Sequence, residues 1–341
     1  MPPLHVAQTF NASYSSKISY TPVAVFIGGT AGIGEATIRA LAQYLHGQVH
    51  VILLARTQKS GERVLSSLEK PNDVSVEVLR EFIQCDASLM SSVHTACTEI
   101  TKLLETKLPK LGMQTAKINY LVFSAAHFNI AKSFWTEEGI DRQLAVRYYH
   151  RFKATYELLP LLRNAKDLGE DAKVLSILLS GFTWPFDEND FGYKKGGLGS
   201  IFKALNTNMA TAIYNDLMVE AFANRNPGIS FTHAMPGTVA TQNSLDTFMT
   251  PFTFHWILKP LEILFRFIFH MVYILPAHSA EYHLYGLLNA DENRNGETGK
   301  KNFYRRTRQG DEFAYRYYRK DQERLKRQLW EHTIKETKCV E

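Results

Sequence analysis

Short apolar runs alternate along this chain with longer stretches in which apolar positions recur every three or four residues, and the alternation begins after residue 20. The runs at 23–27, 49–55, 74–85, 118–126, 173–180 and 229–237 are bounded by turn residues and read as buried strands. The periodic stretches between them read as helices, among them 35–45 and a long one over 139–164. In the latter, Leu144, Tyr148, Phe152, Tyr156 and Leu159 share one side and predict a core-facing stripe. Strand and helix in alternation predict an α/β fold, a Rossmann-like doubly wound parallel sheet covered on both faces. The domain occupies 21–247, after an N-terminal extension over 1–20. Residues 248–276 form a separate apolar region, and 277–341 supply a final strand region and a basic C-terminal helix.

The first strand runs directly into Gly28-Gly-Thr-Ala-Gly-Ile-Gly34, which opens the first helix. Glycine at 28, 32 and 34 lets the backbone turn sharply and approach a ligand closely, while the helix start directs unpaired N–H groups and the positive dipole end at an anion. Strand, glycine turn, helix and a second strand in this order mark a dinucleotide diphosphate site. Gly28, Gly29, Thr30, Gly32, Ile33 and Gly34 are its expected lining. At the end of the second strand, where an NAD site carries Asp or Glu for the ribose hydroxyls, stands Ala55, followed by Arg56. A guanidinium grips a 2′-phosphate that a carboxylate would repel, so NADPH/NADP is the expected cofactor, with Lys59 nearby to assist.

The chain of 341 residues is long enough for one enlarged α/β domain. Cys85, Cys97 and Cys339 are too few and too scattered for a disulfide framework or zinc site, which fits a reducing, cytoplasmic setting. The N-terminus lacks the basic and apolar blocks of a secretion signal. All of the net charge of +5 comes from residues 301–341, which carry 12 Lys and Arg against 7 Asp and Glu. Interspersed acids and the stripe Leu325, Leu329 and Trp330 make this an amphipathic helix docked on the domain, with no nucleic acid as partner. Within 248–276, Lys259, Glu262, Arg266 and His270 fall on one helical stripe opposite phenylalanine, leucine and isoleucine, and Pro260 interrupts the run. The segment is too punctuated to span a bilayer. Two readings remain: a lid over a small apolar substrate, or a helix making peripheral membrane contact. The histidines show no metal-ligand spacing, and no Gly-x-Ser-x-Gly elbow occurs.

Over residues 21–241 the chain resembles the short-chain dehydrogenase/reductase family, and in texture its fungal members, whose substrates include secondary metabolites. The family's phosphate turn matches 28–34, with Ile27 where threonine is usual. The resemblance implies that Asp86 meets the adenine amino group, that Ala125 lines the cofactor, and that Pro236, Gly237, Val239 and Thr241 hold the nicotinamide carboxamide. The catalytic half departs from the pattern. The family's Asn-Asn-Ala-Gly strand end reads Phe123-Ser-Ala-Ala126 here, its helical asparagine aligns with Arg147, and its Tyr-x-x-x-Lys falls on Asn206 and Ala210. The spacing Tyr149 to Lys153 precedes the serine strand and is accidental. Ser180 is the expected carbonyl-binding serine. Tyr193 with Lys194 or Lys195, in the Gly- and Lys-rich loop 187–200, offers a phenol and an ammonium as a replacement proton relay, and Arg147 offers a cation for a developing oxyanion. The expected function is an NADPH-dependent oxidoreductase for a carbonyl or alcohol of an apolar small molecule. The alternative is an NADP(H)-binding protein without redox activity: a cyclase, an isomerase or a nucleotide sensor.

Overall fold

In the computed structural model, described over residues 2–73, 75–126, 134–195, 200–241, 273–290, 302–313 and 321–339 (side chains at 200–202 excepted), seven parallel strands form one sheet in the order β3-β2-β1-β4-β5-β6-β7. They are β1 (Val23–Ile27), β2 (His50–Ala55), β3 (Arg80–Gln84), β4 (Tyr120–Phe123), β5 (Lys173–Ile177), β6 (Ser230–Ala234) and β7 (Phe303–Arg306). The central strands are apolar throughout because helices cover both faces. In β1 the alternation is strict. Val23, Val25 and Ile27 face a core shared with α4 (Met90–Lys107), α6 (His150–Asp167) and α7 (Ser200–Arg225). Ala24 and Phe26 face the opposite core, with α2 (Gly32–Tyr44), α3 (Gln58–Ser66) and α8 (Pro276–Leu288). The strand order reverses between β1 and β4, which opens a crevice at their carboxyl ends.

Three local outcomes differ from the sequence pattern, each for a visible reason. The third strand begins at Arg80, not at 74, because the His50 ring interrupts the ladder: its Nδ1 accepts the Leu79 N–H at 2.9 Å. The long helix expected from 139 starts at α5 (Arg142–Leu144), where Asp141 accepts the N–H groups of Gln143 and Leu144. It then widens into a π-turn over Ala145–Tyr149 before α6. The widening turns the Arg147 carbonyl to the Asn215 side-chain amide, which donates to it at 2.9 Å. The apolar 248–276 segment lies outside the described residues up to 272. Among the described residues no helix is long and apolar enough to cross a membrane.

Both ends of the described chain are tied to the domain. The N-terminal segment forms α1 (Leu4–Ser13), whose Asn11 amide donates to the Glu281 carboxylate of α8. Below the sheet, the hydroxyls of Tyr14, Tyr20 and Tyr120 converge on the Asp171 carboxylate, which also faces Lys173 at 3.0 Å. At the other end α9 (Gln322–Thr337) buries Leu325 and Leu329 and sets Trp330 edge-on to Phe152 and Phe222.

Burial disfavours the Asp171 charge, but Lys173 and the tyrosine hydroxyls outweigh it and hold the carboxyl below its usual value. A depressed carboxyl contributes stability that is complete above the unfolded value of about 4 and is lost as pH falls through the folded one. Asp171→Asn should therefore lower stability at pH 7, and the difference from wild type should shrink in urea titrations below pH 4. A constant difference across that range would count against the carboxylate as the source. Leu329→Ala should cost about 2–4 kcal/mol in the same assay by leaving a cavity under α9.

Candidate cofactor and active site

The crevice at the carboxyl ends of β1, β2 and β4 is a cleft of about 480 Å³. Gly28, Gly29, Thr30, Arg56, Asp86 and Ala125 line it, together with Ser124 and Arg142. A larger hollow of about 620 Å³ runs along the β3 edge, but it lies away from the strand ends where such sheets bind ligands. Gly28 has φ +83°, and a Cβ there would stand 2.4 Å from the Ala125 nitrogen. At Gly34 a Cβ would meet the Ser124 hydroxyl at 2.1 Å and the Gly28 carbonyl at 2.7 Å. Both close approaches bring the turn against the end of β4, where Ser124 Oγ donates to the Gly28 carbonyl. Among the described residues no side chain caps the N-terminus of α2, which leaves its first N–H groups to an anion. The one acid in the first turn, Glu35, is turned to Arg39 and Arg63 at 2.8 and 2.7 Å. Arg63 also donates to the Thr30 carbonyl at 2.8 Å and so braces the turn against α3.

Pro236, Gly237, Val239 and Thr241 approach from the opposite side. Val239 bridges to Ile274, and the Thr241 methyl sits where a Cβ on Gly32 would lie 3.0 Å away, so this segment closes over the phosphate turn. Arg56 is exposed on the rim of the cleft, beyond Ala55. Asp86 uses one carboxylate oxygen to accept from Ser88 N and Oγ, at 2.9 and 2.7 Å, and this turn fixes its orientation. Gly28, Gly29, Thr30, Arg56, Asp86 and Ala125 come from separate segments and line one cleft, and Thr241 stands against Gly32 of the same turn. The dimensions of the cleft, the uncapped helix start and the missing Cβ atoms fit a dinucleotide.

At the strand end of β5 the expected catalytic residues diverge. Ser180 is buried, and its hydroxyl has no partner among the described residues. Tyr193, in the left-handed region at φ +51°, turns its ring into the core and donates to the Asn206 carbonyl at 3.4 Å. Burial first, then the charges of Asp190 and Asp187, keeps this phenol protonated well above its ordinary range. Lys194 points elsewhere, to Glu336 of α9 at 2.5 Å. The Lys195 ammonium donates to the Asn189 carbonyl. The expected phenol–ammonium pair is therefore not assembled: the backbone twist at Tyr193 sends consecutive side chains to different elements. Tyr149 and Lys153 face α9, on His332 at 2.7 Å and the Thr337 carbonyl at 2.9 Å, away from the cleft.

Where the relay of the resembling family would stand, α7 presents Asn206, whose side chain accepts from Trp184 Nε1 at 2.9 Å, and the buried Ala210. Around them is a polar network that the sequence did not announce. Arg147 donates to Thr211 Oγ1 at 3.1 Å, and Arg151 to Ser176 Oγ at 2.6 Å. Ser176 donates in turn to Asn215 Oδ1 at 2.9 Å. Beside it Asp216 Oδ1 pairs with His233 Nδ1 at 2.6 Å, and Oδ2 accepts the Gly181 N–H at 3.1 Å. Burial lowers the His233 imidazole value against the opposite pull of Asp216. The trace in the sequence was the spacing of Arg147 and Arg151, four residues apart and so on one face of the helix.

Residues 23–109 match the KR domain. The chain is 30% identical over 248 residues to oxidoreductase AN1596 of Emericella nidulans, covering 73% of this chain and 67% of that one. The chain belongs to the short-chain dehydrogenase/reductase family. A short-chain dehydrogenase/reductase of Stachybotrys chartarum, SAT2, is 30% identical over 70% of this chain and 66% of its own. Oxidoreductase andH of Emericella variicolor is matched over only 58% of its length. Among solved structures, levodione reductase superposes with a TM-score of 0.54 at 15% identity, covering 81% of this chain and 94% of that one. The KRED1-Pglu enzyme gives 0.54 at 16% identity, over 79% and 95%. At such identity these two carry the fold alone.

Replacing Gly34 by alanine should dislodge the Ser124 hydroxyl from the Gly28 carbonyl and cost about 1–3 kcal/mol of stability. Urea denaturation of Gly34→Ala beside Ser124→Ala checks this. Removing the hydroxyl in the double variant should recover part of the loss, and no recovery would place the clash elsewhere.

Proposed function

We propose that this protein is an NADPH-dependent reductase acting on the carbonyl of an apolar small molecule, of the kind found in secondary metabolism. The observation that carries the reading is the cleft at the carboxyl ends of β1, β2 and β4, lined by the glycine turn, Arg56, Asp86 and Ala125, with Thr241 lying against Gly32 of that turn. A nicotinamide coenzyme bound there supplies the hydride. Gly29, Thr30, Gly32, Ile33 and Gly34 hold its diphosphate by backbone N–H groups, while Gly28, whose own N–H donates to the Leu54 carbonyl at 3.0 Å, makes room through its missing Cβ. Asp86 orients the adenine, Ala125 lines the cleft, and Pro236, Gly237, Val239 and Thr241 hold the carboxamide end. Arg56 takes the 2′-phosphate, since no acid stands at the end of β2 to repel it.

In this reading Ser180 holds the substrate carbonyl oxygen, and the Tyr193 phenol, packed inward on the Asn206 carbonyl in this structure, has to turn toward the substrate to deliver the proton. Lys194 fixes the loop through Glu336 and leaves the phenol without a neighbouring ammonium. A phenol whose value is raised stays protonated through the alkaline range, so it serves as a donor and not as a base. A second reading follows from Asn206 and Ala210: with no acid or ammonium at those positions, the site binds NADP(H) and has left redox chemistry.

Calorimetric titration separates the coenzymes. Arg56→Ala should weaken NADPH binding about 10- to 100-fold, the worth of charge-assisted hydrogen bonds, and leave NADH unchanged. Equal losses for both would remove Arg56 from the 2′-phosphate. Tyr193→Phe should lower turnover of NADPH with apolar ketones or aldehydes about 10²- to 10⁴-fold at little cost in KM, as for loss of a general acid. In the wild-type enzyme this step should show no loss of rate as pH rises from 7 to 10, because the donor remains protonated. Tight coenzyme binding with no NADPH consumption across the panel would favour the second reading.

A further inference from the structure

Arg151 is completely buried, and among the described residues no carboxylate pairs with it. Neutral oxygens hold its guanidinium. One terminal nitrogen donates to Ser176 Oγ at 2.6 Å and to the Ile177 and Phe123 carbonyls at 3.2 and 3.5 Å, and the other donates to the Ala125 carbonyl at 2.7 Å. Its Nε has no partner among the described residues. These carbonyls stand at the carboxyl ends of β4 and β5, and Ala125 itself lines the cofactor cleft. Arg147, one helical turn earlier, is buried as well. Asp216, by the β5 strand end, is engaged by His233 and Gly181 and faces Arg305 at 3.8 Å. Burial, followed by the Arg147 charge, draws Arg151 down to about 9, which leaves it cationic at neutral pH.

Burying a guanidinium without a counter-ion is costly. The acceptors it joins at the two strand ends are all neutral, so the hydrogen bonds themselves do not compensate the charge, and the charge calls for a role. The two forms of a nicotinamide coenzyme differ at the ring by one positive charge: the oxidised pyridinium is cationic and the dihydropyridine neutral. A fixed cation behind the strand ends, where low polarity leaves it little screened, acts on that difference.

We propose that Arg151 makes this site selective for the reduced, neutral nicotinamide over the oxidised, cationic one, so that the protein loads reduced coenzyme and sheds the oxidised form. This rests on the nicotinamide reading above. A purely structural role would loosen the strand ends and weaken all ligands alike, whereas a charge role moves the ratio between the two forms.

The test is calorimetry of the full chain with NADPH, NADP⁺ and 2′-phospho-ADP-ribose, the last sharing every group except the nicotinamide. The wild-type protein should bind NADPH about tenfold or more tighter than NADP⁺, the direction in which a nearby uncompensated cation acts. Arg151→Met should collapse the NADPH preference by about tenfold, chiefly by tightening NADP⁺ relative to the fragment, while Arg151→Lys, which keeps the charge and loses the fork, should retain it. The wild-type comparison stands even where a variant fails to fold. Equal affinity of the wild-type protein for both coenzyme forms, or an unchanged ratio in folded Arg151→Met, overturns the role of Arg151 alone. Absence of binding by all three ligands overturns the nicotinamide reading, and this inference with it.

Discussion

Two missing Cβ atoms govern the geometry of the site. Gly28 and Gly34 allow the turn after β1 to lie against Ser124 and Ala125 at the end of β4, closer than any side chain would permit. That contact joins the two strands on either side of the point where the sheet order reverses. It also points the uncapped start of α2 into the crevice and brings the phosphate turn within reach of Thr241. The acid of that first helical turn is held off by Arg39 and Arg63, so the positive end of the helix is left unopposed.

One strand over, polar groups occupy the space between the sheet and α7. Arg147, Arg151, Ser176 and Asn215 form a buried network linked by hydrogen bonds, with Asp216 and His233 beside it. Such a network rigidifies the strand ends as long as every member is satisfied, and each unsatisfied atom is expensive. The π-turn at Ala145–Tyr149 belongs to the same arrangement, because it turns the Arg147 carbonyl to a side-chain donor. With Asn206 and Ala210 on α7, the interior here is organised by guanidinium and amide groups.

The loop beyond β5 illustrates how little spacing says about direction. Tyr193 and Lys194 are adjacent in the chain, yet the left-handed backbone at Tyr193 sends the ring into the core and the ammonium to α9. Proximity in sequence gave a plausible pair, and the torsion of one residue separated it. Tyr149 and Lys153 make the opposite point: their spacing matches a catalytic motif, but both face α9.

The order of strands and helices, the glycine turn, the absence of an acid after β2 and the stripe on α6 were legible in the sequence. They depend on local periodicity and on backbone freedom at single positions, which residue type alone determines. The depth at which Arg151 is buried, the pairing of Asp216 with His233, the start of β3 set by the His50 ring and the separation of Tyr193 from Lys194 were decided by tertiary structure. Each of these depends on partners between 17 and 142 residues away, or on the direction in which a backbone torsion aims a side chain. A linear pattern of apolar and polar positions carries no record of such partners, since the same arginine or histidine type serves equally on a solvated face.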